Sequence, residues 1–189
     1  MRFLTLILFL VFLPFTCLFS AGTFTIFPET VEKDSLKNLL PVKIALKAKG
    51  CVFIWMNSEC PICNKYPLVW KKLASDFPSV IFIGIFTTHE ENRMAKKFMK
   101  NYKLPFQWFI DKKNKLAAYL KVTTTPEIIF VDANAKIIYR GATDDWFYAL
   151  GKNKPAPQQF YLKNALMAFL NNQPAVPYQT DPIGCIFSY

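Results

Sequence analysis

The sequence predicts an α/β protein with a central mixed sheet and helices on both faces. Three observations lead there. Cys51–Met56 and Val80–Phe86 are continuous apolar runs rich in β-branched and aromatic residues, the pattern of strands covered on both faces. Stretches with helical spacing fall between such runs, and that alternation argues for an α/β sheet. Apolar residues make up 52% of the 189 and aromatics 16%, enough to offset chain entropy on folding, so bulk disorder is excluded.

The elements follow in chain order. Phe24–Phe27 is a short strand and Ser35–Leu40 a helical turn. Cys51–Met56 is the first buried strand, and Asn57–Cys63 is the turn that leaves it. A helix is expected from Cys60 to Phe77, with Tyr66, Val69, Trp70 and Leu73 at helical spacing. Pro61 suits its first turn, where a missing N–H costs nothing, and Pro67 should kink it. Val80–Phe86 is the next strand. Glu90–Tyr102 is an amphipathic helix with Met94, Phe98 and Met99 inward. Phe106–Ile110 is a strand, Leu116–Leu120 a short helix, and Glu127–Val131 and Lys136–Arg140 a hairpin turning at Asp132-Ala133-Asn134-Ala135. Residues 142–157 read as an insertion loop in which Asp144, Asp145 and Trp146 structure the chain, and Gln158–Leu170 is the last helix.

The leader is an address label. Arg2 is followed by an almost wholly apolar Phe3–Phe19 and then by Ser20-Ala21-Gly22, small residues that suit a signal peptidase. The expected organisation is a signal peptide over 1–22 with cleavage near Ala21–Thr23, a domain over 23–170, and a tail over 171–189 packed on or near it. The mature protein is expected in the periplasm or another extracytoplasmic space, where disulfides persist. Membrane proximity would come only through an uncleaved leader, whose apolar run is near the lower length for a span. The formal charge is +10, from 23 basic and 13 acidic residues, but the lysines are scattered in pairs. No run reads as a nucleic-acid arm, and no nucleic-acid partner is expected.

Past the leader the cysteines are Cys51, Cys60, Cys63 and Cys185. Disulfide exchange needs a thiolate nucleophile and a second thiol placed to resolve the mixed disulfide. Cys60-Pro61-Ile62-Cys63 supplies both, at the C-terminal end of a buried strand, where open α/β sheets place ligands. At a helix start the terminal amides and dipole would favour negative sulfur. Cys60 is expected to be the exposed nucleophile and Cys63 the more buried resolver. Glu59 should raise the Cys60 pKa, and Lys65 opposes it. Zinc would need a second ligand pair, whereas the chain has one His and no second CxxC, so no metal and no cofactor are expected.

These residues carry a resemblance. Val52–Gly141 resembles the thioredoxin-like superfamily, and most closely redoxin-domain proteins of the alkyl hydroperoxide reductase/thiol-specific antioxidant type. Ser58-Glu59-Cys60-Pro61-Ile62-Cys63-Asn64-Lys65-Tyr66 is similar to their active-site turn. Thr124-Thr125-Pro126-Glu127-Ile128-Ile129-Phe130-Val131-Asp132 is similar to the loop and strand that carry the superfamily's cis-proline. Tyr139-Arg140-Gly141, Tyr161-Leu162 with Ala165-Leu166, and Thr180 with Gly184-Cys185-Ile186 resemble later blocks of an exported subgroup. The resemblance implies a thioredoxin fold, exchange with protein or small-molecule thiols and disulfides, a cis bond before Pro126, and a substrate strand paired with the backbone of Thr125. The chain departs from the pattern where a peroxidase has Thr and Pro before its reactive Cys and this chain has Asn57 and Phe53. Thioredoxin also carries a buried acid on the strand before its cysteines, where this chain has Ile54; Glu127 is the nearest replacement, or else a strand-edge charge.

Of the remaining thiols, Cys51 begins a buried strand and reads as an inert core residue. The strand places it roughly 20 Å from the CxxC, so Cys185 does not serve both. Three readings stay open for Cys185: an accessory redox thiol near Cys60, a staple to Cys51, or a lone thiol. His89 reads as a surface or capping residue. The function expected is thiol–disulfide exchange, with a peroxiredoxin-like peroxidase and a copper(I) chaperone built on Cys60, Cys63 and Cys185 as rivals.

Overall fold

The structure is a computed structural model and describes residues 48–88, 90–133 and 136–189. The leader, the strand expected at Phe24–Phe27, the turn expected at Ser35–Leu40 and His89 lie outside the described residues. Strand β1 (Gly50–Met56) leads through a single 3-10 turn (Cys63–Lys65) into helix α1 (Pro67–Asp76). Then come β2 (Val80–Phe86), α2 (Asn92–Tyr102), β3 (Gln107–Ile110) and α3 (Lys115–Leu120). The two-residue strand β4 (Thr124–Thr125) precedes β5 (Glu127–Asp132) and β6 (Ile137–Gly141). A small hairpin, β7 (Phe147–Ala149) with β8 (Lys152–Asn153), stands before α4 (Tyr161–Leu170) and the tail strand β9 (Cys185–Ile186).

The main sheet has the order β3-β2-β1-β5-β6. β1 runs parallel to β2 and antiparallel to β5, with Gly50 opposite both Val80 and Asp132. The sheet is therefore parallel on one side of β1 and antiparallel on the other. Strand parity sorts the core. Val52, Ile54, Met56, Ile128 and Phe130 face α1, α2 and α4, represented by Trp70, Leu73, Phe98, Leu162 and Leu166. Cys51, Phe53, Trp55, Ile129 and Val131 face α3 through Leu116 and Ala117. Both faces of β1 are covered, which explains its unbroken apolar run. Trp55 is fully buried, and among the described residues its Nε1 has no hydrogen-bond partner.

Three expectations change. The helix expected over Cys60–Phe77 begins only at Pro67, with Tyr66 as its N-cap, so Pro67 opens α1 instead of kinking it. Proline has no N–H to lose at the first helical position, and its fixed φ suits that site. Cys60 is consequently not at a helix N-terminus, and the dipole argument made for it does not apply. The insertion expected over 142–157 contains the β7–β8 hairpin, which turns at Gly151 with φ 70°. Asp145 does structure that loop: its carboxylate accepts the N–H groups of Gln158 at 2.7 Å and Gln159 at 2.8 Å, and pairs with Lys154.

The tail is attached at two points. Tyr178–Thr180 is clamped beside β6: Arg140 N–H donates to the Tyr178 carbonyl and Thr180 N–H to the Arg140 carbonyl, both at 3.0 Å. Thr180 Oγ1 lies 2.6 Å from the Tyr139 hydroxyl and accepts the Ala142 N–H at 3.0 Å. Gly141, with φ 129°, permits this approach, since a Cβ there would sit 2.2 Å from the Thr180 carbonyl oxygen. The second attachment is β9, which pairs antiparallel with β4, Cys185 opposite Thr125.

Candidate active site

The C-terminal end of β1 delivers the cysteine turn. Asn57 opens it by accepting the Glu59 N–H on its side chain at 2.7 Å and the Cys60 N–H on its carbonyl at 3.2 Å. Asn64 closes it, donating to the Ser58 carbonyl at 2.8 Å and the Cys60 carbonyl at 2.9 Å, and Tyr102 of α2 holds Asn64 in turn at 2.8 Å. The backbone around the sulfurs is thus held by the Asn57 and Asn64 side chains together with turn and 3-10 bonds, in place of the α-helix that the spacing suggested.

Cys60 is bonded to Cys185, with Cα atoms 6.0 Å apart, inside the usual range for a disulfide. Cys63 is a free, fully buried thiol. The structure places Cys185 against Cys60, so it is not a lone thiol. The staple to Cys51 is excluded: Cys51 is free, at the far end of β1 and on the opposite face of the sheet. Cys60 is only 2% exposed, against the exposed nucleophile expected, because the tail covers it. Its Sγ lies 3.2 Å from the Thr125 carbonyl oxygen, so the Thr125–Pro126 loop forms the neighbouring wall; that peptide bond is cis.

Burial pushes the Cys63 thiol up to about 12. Hydrogen bonds from the Asn57 backbone and the Thr125 side chain act the other way, favouring the thiolate, and the charge of Glu90 adds to the rise. Glu90 is the site residue that sequence reasoning missed. It is buried, and its carboxylate accepts the Ser58 N–H at 3.0 Å and the Ser58 hydroxyl. Glu59 and Lys65, the charges singled out beforehand, are both exposed. Glu127 is neither a strand-edge charge nor a free base near Cys63. It is buried opposite Trp55, on the face away from the cysteine turn, and paired with Arg140 at 2.7 Å. Desolvation raises its pKa and the Arg140 pairing opposes the rise. Among the described residues no group of three or more His, Cys, Asp and Glu is arranged to hold a metal ion, and no helix is long and apolar enough to cross a membrane.

Two parallel strands on one side of β1, two antiparallel strands on the other and a thiol turn at its C-terminal end are the layout of a thioredoxin-like redoxin domain. The chain belongs to the AhpC/TSA family, whose model matches residues 29–140. It is similar in structure to an uncharacterized conserved protein from Geobacillus kaustophilus, at 23% identity and TM-score 0.66 over 75% of this chain and 77% of that one. A hypothetical protein from Sinorhizobium meliloti 1021 is similar at 20% identity and TM-score 0.66, over 74% and 79%. A secreted Mycobacterium tuberculosis disulfide oxidoreductase homologous to E. coli DsbE is similar at 23% identity and TM-score 0.51, over 67% and 86%. At these identities the likeness is one of fold. No curated protein matches the chain.

Proposed function

We propose that the protein is an exported thiol–disulfide oxidoreductase that works through Cys60, with Cys63 and Cys185 as the two thiols that can take its sulfur, and Thr125 and Pro126 forming the substrate wall. The observation that carries this reading is the Cys60–Cys185 pairing beside a free Cys63, three sulfurs at the end of β1 in a family of redoxin proteins. In the forward step the Cys60 thiolate attacks a substrate disulfide. One substrate sulfur bonds to Cys60 and the other leaves as thiolate. The Cys63 thiolate then attacks Cys60, forming Cys60–Cys63 and releasing the second substrate thiolate. Cys185 can make the same attack, which yields the pair seen here. The reverse sequence oxidises a substrate dithiol. Partners are protein or small-molecule thiols and disulfides.

Export rests on the Arg2-plus-apolar leader over residues 1–22. The mature N-terminus, sequenced from the native host, is expected near Gly22 or Thr23. Intact Met1–Ala21 on soluble protein would contradict it.

The activity is tested by mixing reduced protein with insulin, hydrogen peroxide and copper(I) in parallel. Insulin reduction that Cys60→Ser abolishes supports exchange. Peroxide turnover without insulin reduction would replace it with peroxidase chemistry, and tight copper(I) binding without either reaction would replace it with a chaperone.

A further inference from the structure

The tail sits as a substrate would. Cys185 is bonded to Cys60, the atom that the proposed exchange loads with a substrate sulfur, while Cys63, the proposed resolver, stays a thiol. Around that bond the tail backbone makes a strand's contacts. Cys185 lies opposite Thr125 and Ile186 opposite Thr124, antiparallel. The Phe187 N–H donates to the Thr123 carbonyl at 2.9 Å, and the Thr125 hydroxyl donates to the Cys185 carbonyl at 3.3 Å. Asn114 reaches the Ser188 carbonyl at 3.1 Å. Ile186 is 82% exposed, while Ile183 and Phe187 on either side of it rest on the two core clusters. The one tight spot is Gly184. A Cβ there would lie 2.1 Å from the Thr125 carbonyl oxygen and 2.6 Å from its carbonyl carbon, both backbone atoms that no rotamer change can move aside.

We propose that residues 183–187 are a tethered stand-in for the partner, and that the β4 groove takes an extended polypeptide whose reactive cysteine directly follows a glycine. This deepens the exchange reading above and rests on it. Thr125 acts as a specificity-determining residue through its backbone: its carbonyl excludes a side chain on the residue before the incoming cysteine. The tail reaches the groove from the clamp at Tyr178–Thr180, which holds it by bonds that involve no sulfur. When Cys63 thiolate attacks Cys60, the Cys60–Cys185 bond breaks as Cys60–Cys63 forms, and Cys185 leaves as thiolate. No external oxidant or reductant is consumed. The strand 183–187 is then held without a covalent bond, by its pairing with β4, the Thr125 hydroxyl and the packing of Ile183 and Phe187, and a partner strand can replace it.

The test uses the reduced full-length chain carrying Cys185→Ser, which leaves Cys60 without its internal occupant. Two peptides copy residues 180–189, one with the natural Gly before Cys and one with Ala there, each activated as a mixed disulfide with thionitrobenzoate. Attack by Cys60 bonds it to the peptide sulfur and releases coloured thionitrobenzoate. Each rate is divided by that of the same peptide with glutathione, and the symmetric nitrobenzoate disulfide serves as a backbone-free control. The Ala peptide is expected to react about tenfold slower or more, because an overpacked contact of this kind must be relieved by moving backbone. Equal normalised rates, with the control reacting, would overturn the groove proposal and leave exchange standing. If neither peptide nor control reacts through Cys60, the exchange reading fails and takes this one with it.

Discussion

Cys51 and Cys63 are both fully buried free thiols, one on β1 and the other in the turn that follows it, and their surroundings differ. Cys51 starts β1 on the α3 face, and burial alone acts on it, raising its pKa. Cys63 lies just past the end of β1 on the other face, where the Asn57 backbone and the Thr125 side chain favour its thiolate against burial. It is also three residues from a sulfur already engaged in a disulfide. Burial therefore does not separate the two thiols; position relative to the strand's C-terminal end and the polar groups nearby do. Two buried carboxylates repeat the contrast. Glu127, on the Cys51 face, is tied up by Arg140, whereas Glu90 holds the cysteine turn and presses on Cys63.

The sharpest way to break this comparison is to remove the thiols one at a time. Cys60→Ser should abolish insulin reduction, and Cys51→Ala should leave its rate unchanged with a modest stability loss. A slower Cys51 variant of unchanged fold would show that position had been misread. The next effect is on stability. Arg140→Met should cost about 3 kcal/mol in urea unfolding at neutral pH, because it leaves Glu127 buried and unpaired. Glu127 already titrates above its ordinary value, and more so without Arg140, so the folded variant takes up its proton more readily than the unfolded chain. The deficit is full at neutral pH and should shrink as the pH falls through the raised pKa of Glu127. A deficit independent of pH would count against the ion pair.

The third effect is kinetic. With the Cys63 thiol pushed up to about 12, its thiolate fraction should rise about tenfold per pH unit through the neutral and alkaline range. Release of a trapped substrate from Cys60 should follow that slope in Cys185→Ser protein, read by stopped-flow. A plateau near pH 8 would mean that Cys63 is far more acidic than its burial implies. The smallest effect is Glu90→Gln. It removes a charge that is a minor cause of the Cys63 rise and keeps an acceptor for Ser58, so release at neutral pH should quicken a few-fold. Slower release would assign Glu90 to positioning the turn alone.

The buried strands were legible because period-two parity survives in an apolar run: Cys51, Phe53 and Trp55 part from Val52, Ile54 and Met56. The CxxC and the Thr-Pro loop were legible as motifs. The start of α1 was not, because Tyr66, Val69, Trp70 and Leu73 keep their spacing wherever the helix begins. Pro67 carried the answer as a first-turn residue. Glu90 was out of reach, since its contact with Ser58 spans 32 positions with no pattern to announce it. The partner of Cys185 lies 125 residues away, and only the fold chooses among its alternatives. Gly184 stands in the sequence only as the neighbour of Cys185; that it lies against the Thr125 carbonyl is a fact of three dimensions.

The central claim, that Cys60 carries the exchanged sulfur, is tested most directly by trapping. Two full-length double variants, Cys63→Ser with Cys185→Ser and Cys60→Ser with Cys185→Ser, are reduced, mixed with a protein disulfide and quenched with alkylating agent. The first should accumulate a mixed disulfide that mass spectrometry maps to Cys60, and the second should accumulate none. Equal trapping by both, or a bond mapped to Cys63 in the second, would contradict the account.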